Sequence, residues 1–222
     1  MSYDVDLVVP RRRHPPRRRH PPRRRHPPRR CHPPRPPHHT WEDGAVLLDT
    51  ATTALATADD RHRDAFAAFV AARGDASLWR DGGPDHLTAS CFVFSPDLAR
   101  VLLCLHRKGG FWVQFGGHLE PSDVSLADAA RREAREESGI TDLELVDDRI
   151  ADLDRHELGG GFACAAHWDV GFVALADPSV VTAVSDESDD VRWFVLDALP
   201  AEIPPGLPGR LSAAVASVGY RG

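Results

Sequence analysis

Apolar and polar residues alternate along this chain in two different rhythms. Between residues 41 and 83 the stretches AVLLDTATTALATADD and RDAFAAFVAARG are rich in helix formers. Phe66, Phe69 and Val70 fall at i, i+3 and i+4, which gives one apolar helical face, and Gly74 stands where a helix commonly ends. The spacing predicts a helical extension over 41–83 that packs on the strand-rich body C-terminal to it. From His86 the rhythm shortens. LTASCFVF (87–94) and ARVLLCLH (99–106) read as strands separated by the turn-prone SPDL, and FWVQF (111–115) reads as a third, bounded by Gly109–Gly110 and Gly116–Gly117. Further strands are expected at LELVDD (143–148), RIADLD (149–154), FACAAHWDVGFVALA (162–176) and VRWFVL (191–196). A last helix is expected over about 209–218. Strands interleaved with one central and one terminal helix predict an α/β sandwich around a mixed sheet.

The central helix carries the most information. Ser125 suits an N-cap, with Asp128 three residues on, and Gly139 suits the residue after the helix, so the helix is expected over 126–138. At about 100° per residue, Ala129, Ala130 and Ala134 share a side with Leu126. Asp128, Arg131, Arg132, Arg135 and Ser138 fall opposite. Glu133 and Glu137 land about 20° either side of Leu126, and Glu136 about 80° away. Two glutamates therefore lie on the stripe that should face inward, not on the arginine side. An ordinary charged helix surface, with Asp128 pairing Arg132, does not explain them, because like charges at i, i+4 repel. In a partly dry cleft that repulsion reaches about 4 kcal/mol at roughly 4 Å and an effective dielectric near 20. Protonation or a divalent cation relieves it, and a cluster of hard oxygens suits Mg²⁺. The loop before the helix adds Glu120 and Asp123, and its Gly116–Gly117 pair permits close approach of a ligand.

Charge changes the picture at the other end of the chain. The net charge is −6 over 222 residues, but twelve arginines stand against Asp4 and Asp6 in residues 1–40, while the remainder holds fifteen basic residues against thirty-one acidic ones. Residues 11–34 repeat RRRHPP, the last copy reading RRCHPP. Frequent proline and self-repelling arginine predict a disordered, extended tail over 1–40. Such a tail can grip nucleic acid or another polyanion, and it can equally be a solvated segment without a specific role. The four cysteines form no C-x-x-C pair and read as free thiols in a reducing cytoplasm. No apolar run is long enough to span a membrane.

The segment GGHLEPSDVSLADAARREAREESGI, residues 116–140, resembles the Nudix box, G-x5-E-x7-R-E-U-x-E-E-x-G-U with U aliphatic. Gly117 matches the opening glycine. Arg132, Glu133, Ala134, Glu136, Glu137, Gly139 and Ile140 match the second half without a gap. Two departures stand out. Asp123 replaces the loop glutamate, and eight residues rather than seven separate it from Arg132. The resemblance extends over roughly residues 84–200 through the flanking strands.

That resemblance implies a Nudix-like α/β/α sandwich with a mixed sheet, carried by residues 84–222 with a C-terminal helix. It implies Mg²⁺-dependent (or Mn²⁺-dependent) hydrolysis of a small-molecule diphosphate, commonly a nucleoside diphosphate linked to another group. Glu133, Glu136 and Glu137 would hold metal, Glu133 would also activate water, Arg132 would orient the glutamates, and Gly117 would supply the turn, with its carbonyl a candidate metal contact. Family members often draw another acid from the loop before the closing strand, here SDESDD, which makes Glu187 a candidate. Glu120, Asp123 and His118 are further candidates near the cleft, with His156 and His167 beside them, and His106–Arg107–Lys108 could touch phosphate. Two other functions compete: a catalytically silent nucleotide-binding or sensor domain of the same fold, and nucleic-acid binding through the tail. Substrate identity and oligomeric state are not encoded in any motif of the chain.

Overall fold

The computed structural model describes residues 41–159 and 164–219. The basic tail expected over 1–40 lies outside them, as does the nucleic-acid contact it would make. The helical extension is α1 (Trp41–Ala56), α2 (Arg63–Arg73) and a short 3₁₀ turn, Gly74–Ser77. Gly74 closes α2 at φ 55°, a conformation that favours glycine. Seven strands come next: β1 (Asp85–Phe94), β2 (Arg100–His106), β3 (Phe111–Val113), β4 (Phe115–His118), β5 (Asp152–Glu157), β6 (Ala166–Leu175) and β7 (Ser188–Val195). Helix α3 (Leu126–Ser138) lies between β4 and β5, and α4 (Leu207–Gly219) ends the described chain. Among the described residues no helix is long and apolar enough to cross a membrane.

The strands form one mixed sheet in the order β3-β2-β1-β6-β5, with β7 paired to β2. β1 and β6 run parallel over ten residues each, whereas the other pairings are antiparallel. One edge of β1 is shared: Thr88–Cys91 pair with β4, and Val93–Phe94 pair with β2. Alternation along β1 sends Leu87, Ala89, Cys91 and Val93 into a core with Leu126, Ala129, Ala130 and Ala134 of α3 and with Leu47, Leu55 and Phe66 of the extension. Phe92 and Phe94 enter a second core with Leu207, Leu211 and Ala214 of α4. Helices thus cover both faces, as a sandwich requires.

Three expectations needed correction. LELVDD is not a strand; only Leu145 forms an isolated bridge, with Ala174. Asp147 accepts the Arg149 N–H at 2.9 Å, a local turn that bends the chain away from the ladder, so β5 begins at Asp152 and runs on to Glu157. FWVQF is two strands, because β3 pairs with β2 and β4 with β1, and Gln114 carries the chain from one partner to the other. Ser138 is buried, not on the solvated side of α3.

The α4-facing side of the sheet is not wholly apolar. Asp169 of β6 is buried and accepts hydrogen bonds from Thr88 at 2.8 Å and Ser90 at 2.7 Å. Arg210 of α4 donates to Asp152 at 2.6 Å and to Asp169 at 2.7 Å. Burial works to raise the Asp169 pKa, but Arg210, His156 and the Ser90 hydroxyl outweigh it and hold it down to about 2. Removing the guanidinium would strand buried carboxylates. Arg210→Met is therefore expected to cost about 3–5 kcal/mol in urea denaturation. A loss under about 1 kcal/mol would show that solvent, not Arg210, compensates these charges.

Candidate active site

The site is built where β4 runs into α3. Gly117 of β4 lies against Glu133; a Cβ there would sit 2.5 Å from Glu133 Oε1, so a glycine lets the carboxylate reach the strand. The preceding Gly116 donates its N–H to Glu137 Oε2 at 3.0 Å. Helix α3 begins as expected, with Ser125 Oγ accepting the Asp128 N–H at 3.1 Å, and stops at Gly139 with φ 73°. Its Asp128 pairs with Arg131 one turn away at 3.3 Å, rather than with Arg132.

Arg132 leaves the solvated side and folds back over the loop. It donates to both oxygens of Asp123 at 2.9 Å, to Glu133 Oε1 at 2.9 Å and to the His118 carbonyl at 3.1 Å. Glu136 Oε2 lies 3.6 Å from the same group. Burial opposes its charge, but Asp123 and Glu133 outweigh that and keep the guanidinium protonated. Asp123, only 3% exposed, also accepts the Glu120 N–H at 2.7 Å. Its two oxygens are committed to Arg132 and the loop, which suits a clamp better than a metal ligand. The inserted residue lies in Val124–Arg131, and the clamp closes despite it. Glu120 is exposed, its carboxylate 4.0 Å from Arg132.

The three helix glutamates differ in depth. The Glu137 residue is 7% exposed, and no ion pair to it is found among the described residues. Burial raises its pKa to about 8; the Gly116 N–H opposes this, and Glu133, Glu187 and Glu136 add to it. The Glu133 side chain is 15% exposed and its pKa is raised to about 7, by burial first, against the pull of Arg132 and with Glu136 and Glu187 adding. Glu136 stands at the rim, its side chain 64% exposed. Glu187 is exposed on the loop before β7, close enough for its charge to act on both Glu133 and Glu137. Arg107 fastens that loop. Its backbone N–H donates to Glu187 O at 3.0 Å, and its side chain donates to Asp189 and Ser188 O at 2.7 Å and to Asp186 O. Arg107 is thus committed to the loop rather than held out for phosphate.

The ring of His118 does not join the glutamates. It packs with His86 and His167, with ring centroids 5.0 and 5.2 Å away, and its Nε2 lies 3.8 Å from Cys164 Sγ. His156 contacts His167 but bonds Asp154 at 2.9 Å. His86 was not among the residues singled out from sequence. The available signal was the two-residue spacing of His86, Thr88 and Ser90, a polar row on one side of a strand otherwise apolar.

The buried, uncompensated Glu137 and the half-buried Glu133, with acids at the rim, form an oxygen-rich donor set that fits a hard divalent cation. The profile of the NUDIX domain matches residues 84–213, more than half of the chain. The chain therefore belongs to the Nudix hydrolase family. As a member it is a hydrolase acting on phosphorus-containing anhydrides. Among solved structures it is similar to the MutT protein of Methanosarcina mazei Go1, with 19% identity, 61% of this chain and 96% of that chain covered, and a TM-score of 0.50. A NUDIX family hydrolase from Clostridium perfringens is similar at 22% identity over 62% of this chain and 98% of that one, TM-score 0.49. The E. coli dihydroneopterin triphosphate pyrophosphohydrolase is similar at 17% identity over 59% and 95%, TM-score 0.49. At these identities the likeness concerns the fold.

The raised carboxylates have a consequence for stability. Folded pKa values of about 7 for Glu133 and about 8 for Glu137 exceed the ordinary value of roughly 4.3. The folded state then binds more protons than the unfolded chain between those limits, so their contribution falls as pH rises. The melting temperature in EDTA should drop from about pH 5 to pH 8, and Glu137→Gln should flatten the drop. Identical profiles for the two proteins would contradict the buried, uncompensated state of Glu137.

Proposed function

We propose that this chain is a Mg²⁺-dependent hydrolase, with Mn²⁺ as a substitute, that cleaves the pyrophosphate bond of a nucleoside diphosphate linked to another group. The observation that carries the reading is the buried Glu137 beside the half-buried Glu133, flanked by Glu136 and Glu187, with no cation among the described residues to balance Glu137. Glu133, Glu136 and Glu137 would hold the metal, and Gly117 lies beside Glu133 at the strand end. When bound, a divalent cation would neutralise phosphoryl oxygens and acidify water. The chain's own residues supply the rest. Glu133, with a pKa near neutrality, is suited to take a proton from water. Arg132 orients Glu133 and ties it to the loop through Asp123 rather than touching substrate. The body around the site is acidic, so a polyanionic diphosphate approaches it only once its charge is screened.

The intact glutamate trio disfavours the silent sensor reading, which has no need of a Glu133 suited to take a proton from water. We place the protein in the cytoplasm on its reduced thiols, Cys91, Cys104 and Cys164.

A panel of nucleoside diphosphate derivatives, assayed for product release with and without Mg²⁺, tests the reaction. Turnover of at least one of them, abolished by EDTA, is expected. Glu136→Gln should lower kcat by about 100-fold or more, the scale of losing a transition-state electrostatic contact. Its circular dichroism and melting temperature should stay unchanged, since the side chain is at the rim. Near wild-type turnover in that variant would remove Glu136 from the metal site. Mg²⁺ should also raise the melting temperature more at pH 8 than at pH 6, because the carboxylates must ionise to bind it. Equal shifts would argue against binding at the glutamates.

A further inference from the structure

We propose that His86, His118, His167 and Cys164 form a second metal site, of the zinc class and closed to substrate, separate from the glutamates. Register brings the donors together. His86 of β1 stands opposite His167 in the parallel β1–β6 ladder, and His118 ends β4, paired to Thr88 two residues further along β1. Every second residue of a strand shares a face, so His86, Thr88 and His118 share the side that faces α4 rather than α3. Cys164 lies two residues before β6 begins. One donor atom from each of the four residues falls within 4.8 Å of every other. A tetrahedral zinc ion with bonds of about 2.0–2.3 Å separates its ligands by roughly 3.3–3.7 Å. The 3.8 Å between Cys164 Sγ and His118 Nε2 is already close to that, and the widest gap closes by rotamer adjustment of about 1 Å.

Independent of the clustering, three ring nitrogens of the site lack hydrogen-bond partners. His86 is fully buried, and neither Nδ1 nor Nε2 has a partner in full hydrogen-bond geometry among the described residues, although the Gly83 backbone acts on the ring; His167 Nε2 likewise has no partner. Buried imidazole nitrogens are ordinarily satisfied, and a metal ion would satisfy one nitrogen of each ring together with the thiol, leaving the other nitrogen of His86 to carry its proton beside the Gly83 backbone. His156, the next ring along, is not among the four residues whose donor atoms converge, and its Nδ1 bonds Asp154 at 2.9 Å. Three imidazoles and a thiolate are borderline-to-soft donors. They select zinc-class ions over Mg²⁺, which takes oxygen, so the two sites of this fold would not compete for one metal. On binding, the thiol of Cys164 passes its proton to solvent and both electrons of the new bond come from sulfur.

Four protein ligands leave no open position, which marks a structural site rather than a catalytic one. Its position gives it a purpose. The His118 carbonyl accepts from Arg132 at 3.1 Å, so an ion on the His118 ring would pin the strand end from which the glutamate loop departs.

Cobalt titration of the full-length, chelator-stripped protein tests this. Tetrahedral S/N₃ coordination predicts intense visible d–d bands and a thiolate-to-cobalt charge-transfer band, both displaced by Zn²⁺ and untouched by excess Mg²⁺. The tail also holds histidines and Cys31, so the variants decide which thiol is bound. Cys164→Ser should lose the charge-transfer band, and Cys31→Ser should keep it. Wild-type protein should melt at higher temperature with Zn²⁺, and Cys164→Ser should lose that shift. Should Cys164→Ser fail to fold, the unmodified protein still answers: Zn²⁺ should slow alkylation of Cys164, measured by peptide mass spectrometry. A charge-transfer band that survives Cys164→Ser, the absence of any such band, or alkylation of Cys164 unaffected by Zn²⁺ would each overturn the proposal. None of these readouts involves hydrolysis, so they stand apart from the outcome of the activity assays.

Discussion

The site depends on one guanidinium. Arg132 holds Asp123, Glu133 and the His118 carbonyl together, and so joins the end of β4, the loop after it and the helix into one unit. Without a fixed positive charge there, the acids of this region would repel one another out of the cleft. With it, Asp123 is neutralised at the back and Glu133 is turned forward. Glu137 receives no comparable partner among the described residues, only a backbone N–H, and its unbalanced burial is what the proposed cation site rests on.

β1 divides the chemistry of the molecule. Its odd positions, Leu87 to Val93, press on α3 and support the glutamate helix from beneath. Its even positions, His86, Thr88 and Ser90, face a polar layer under α4 containing Asp169, Asp152 and Arg210. One strand therefore serves two donor environments: carboxylate oxygens beyond its odd face, and imidazole nitrogens with a thiol at the near end of its even face. Hard and borderline donors are kept on opposite sides of a sheet, so the two proposed sites would each select its own ion. The α1 helix joins the arrangement from outside, where Thr50 donates to the Val124 carbonyl at 2.9 Å and steadies the loop leading into α3.

Much of the fold was legible because local signals agreed with it. Ser125 and Gly139 bound α3 in sequence where they bound it in the structure, since capping is a property of a few adjacent residues. The inward position of Glu133 and Glu137 comes from helical period alone. Elements failed where a partner decided them. LELVDD has strand composition, but Asp147 turns the chain before a ladder can form. FWVQF is divided because its two halves meet different strands. Arg132 departs from its outward place on the helical wheel for a related reason: a long side chain can leave the direction of its Cα–Cβ bond to reach a buried acid nine residues away.

By itself the sequence determined the helix and its caps, the row of glutamates along its inner stripe and the alternation that gave β1 two faces, because each is set by neighbours a few residues apart. Tertiary structure alone decided that Asp123 would be a clamp, that Arg107 would secure the Glu187 loop, and that His86, His118, His167 and Cys164 would converge. Those four residues come from separate stretches of the chain; the pairing of β1 with β4 and β6 gathers the three rings, and the segment just before β6 brings Cys164 to them, all donor atoms within 4.8 Å of one another.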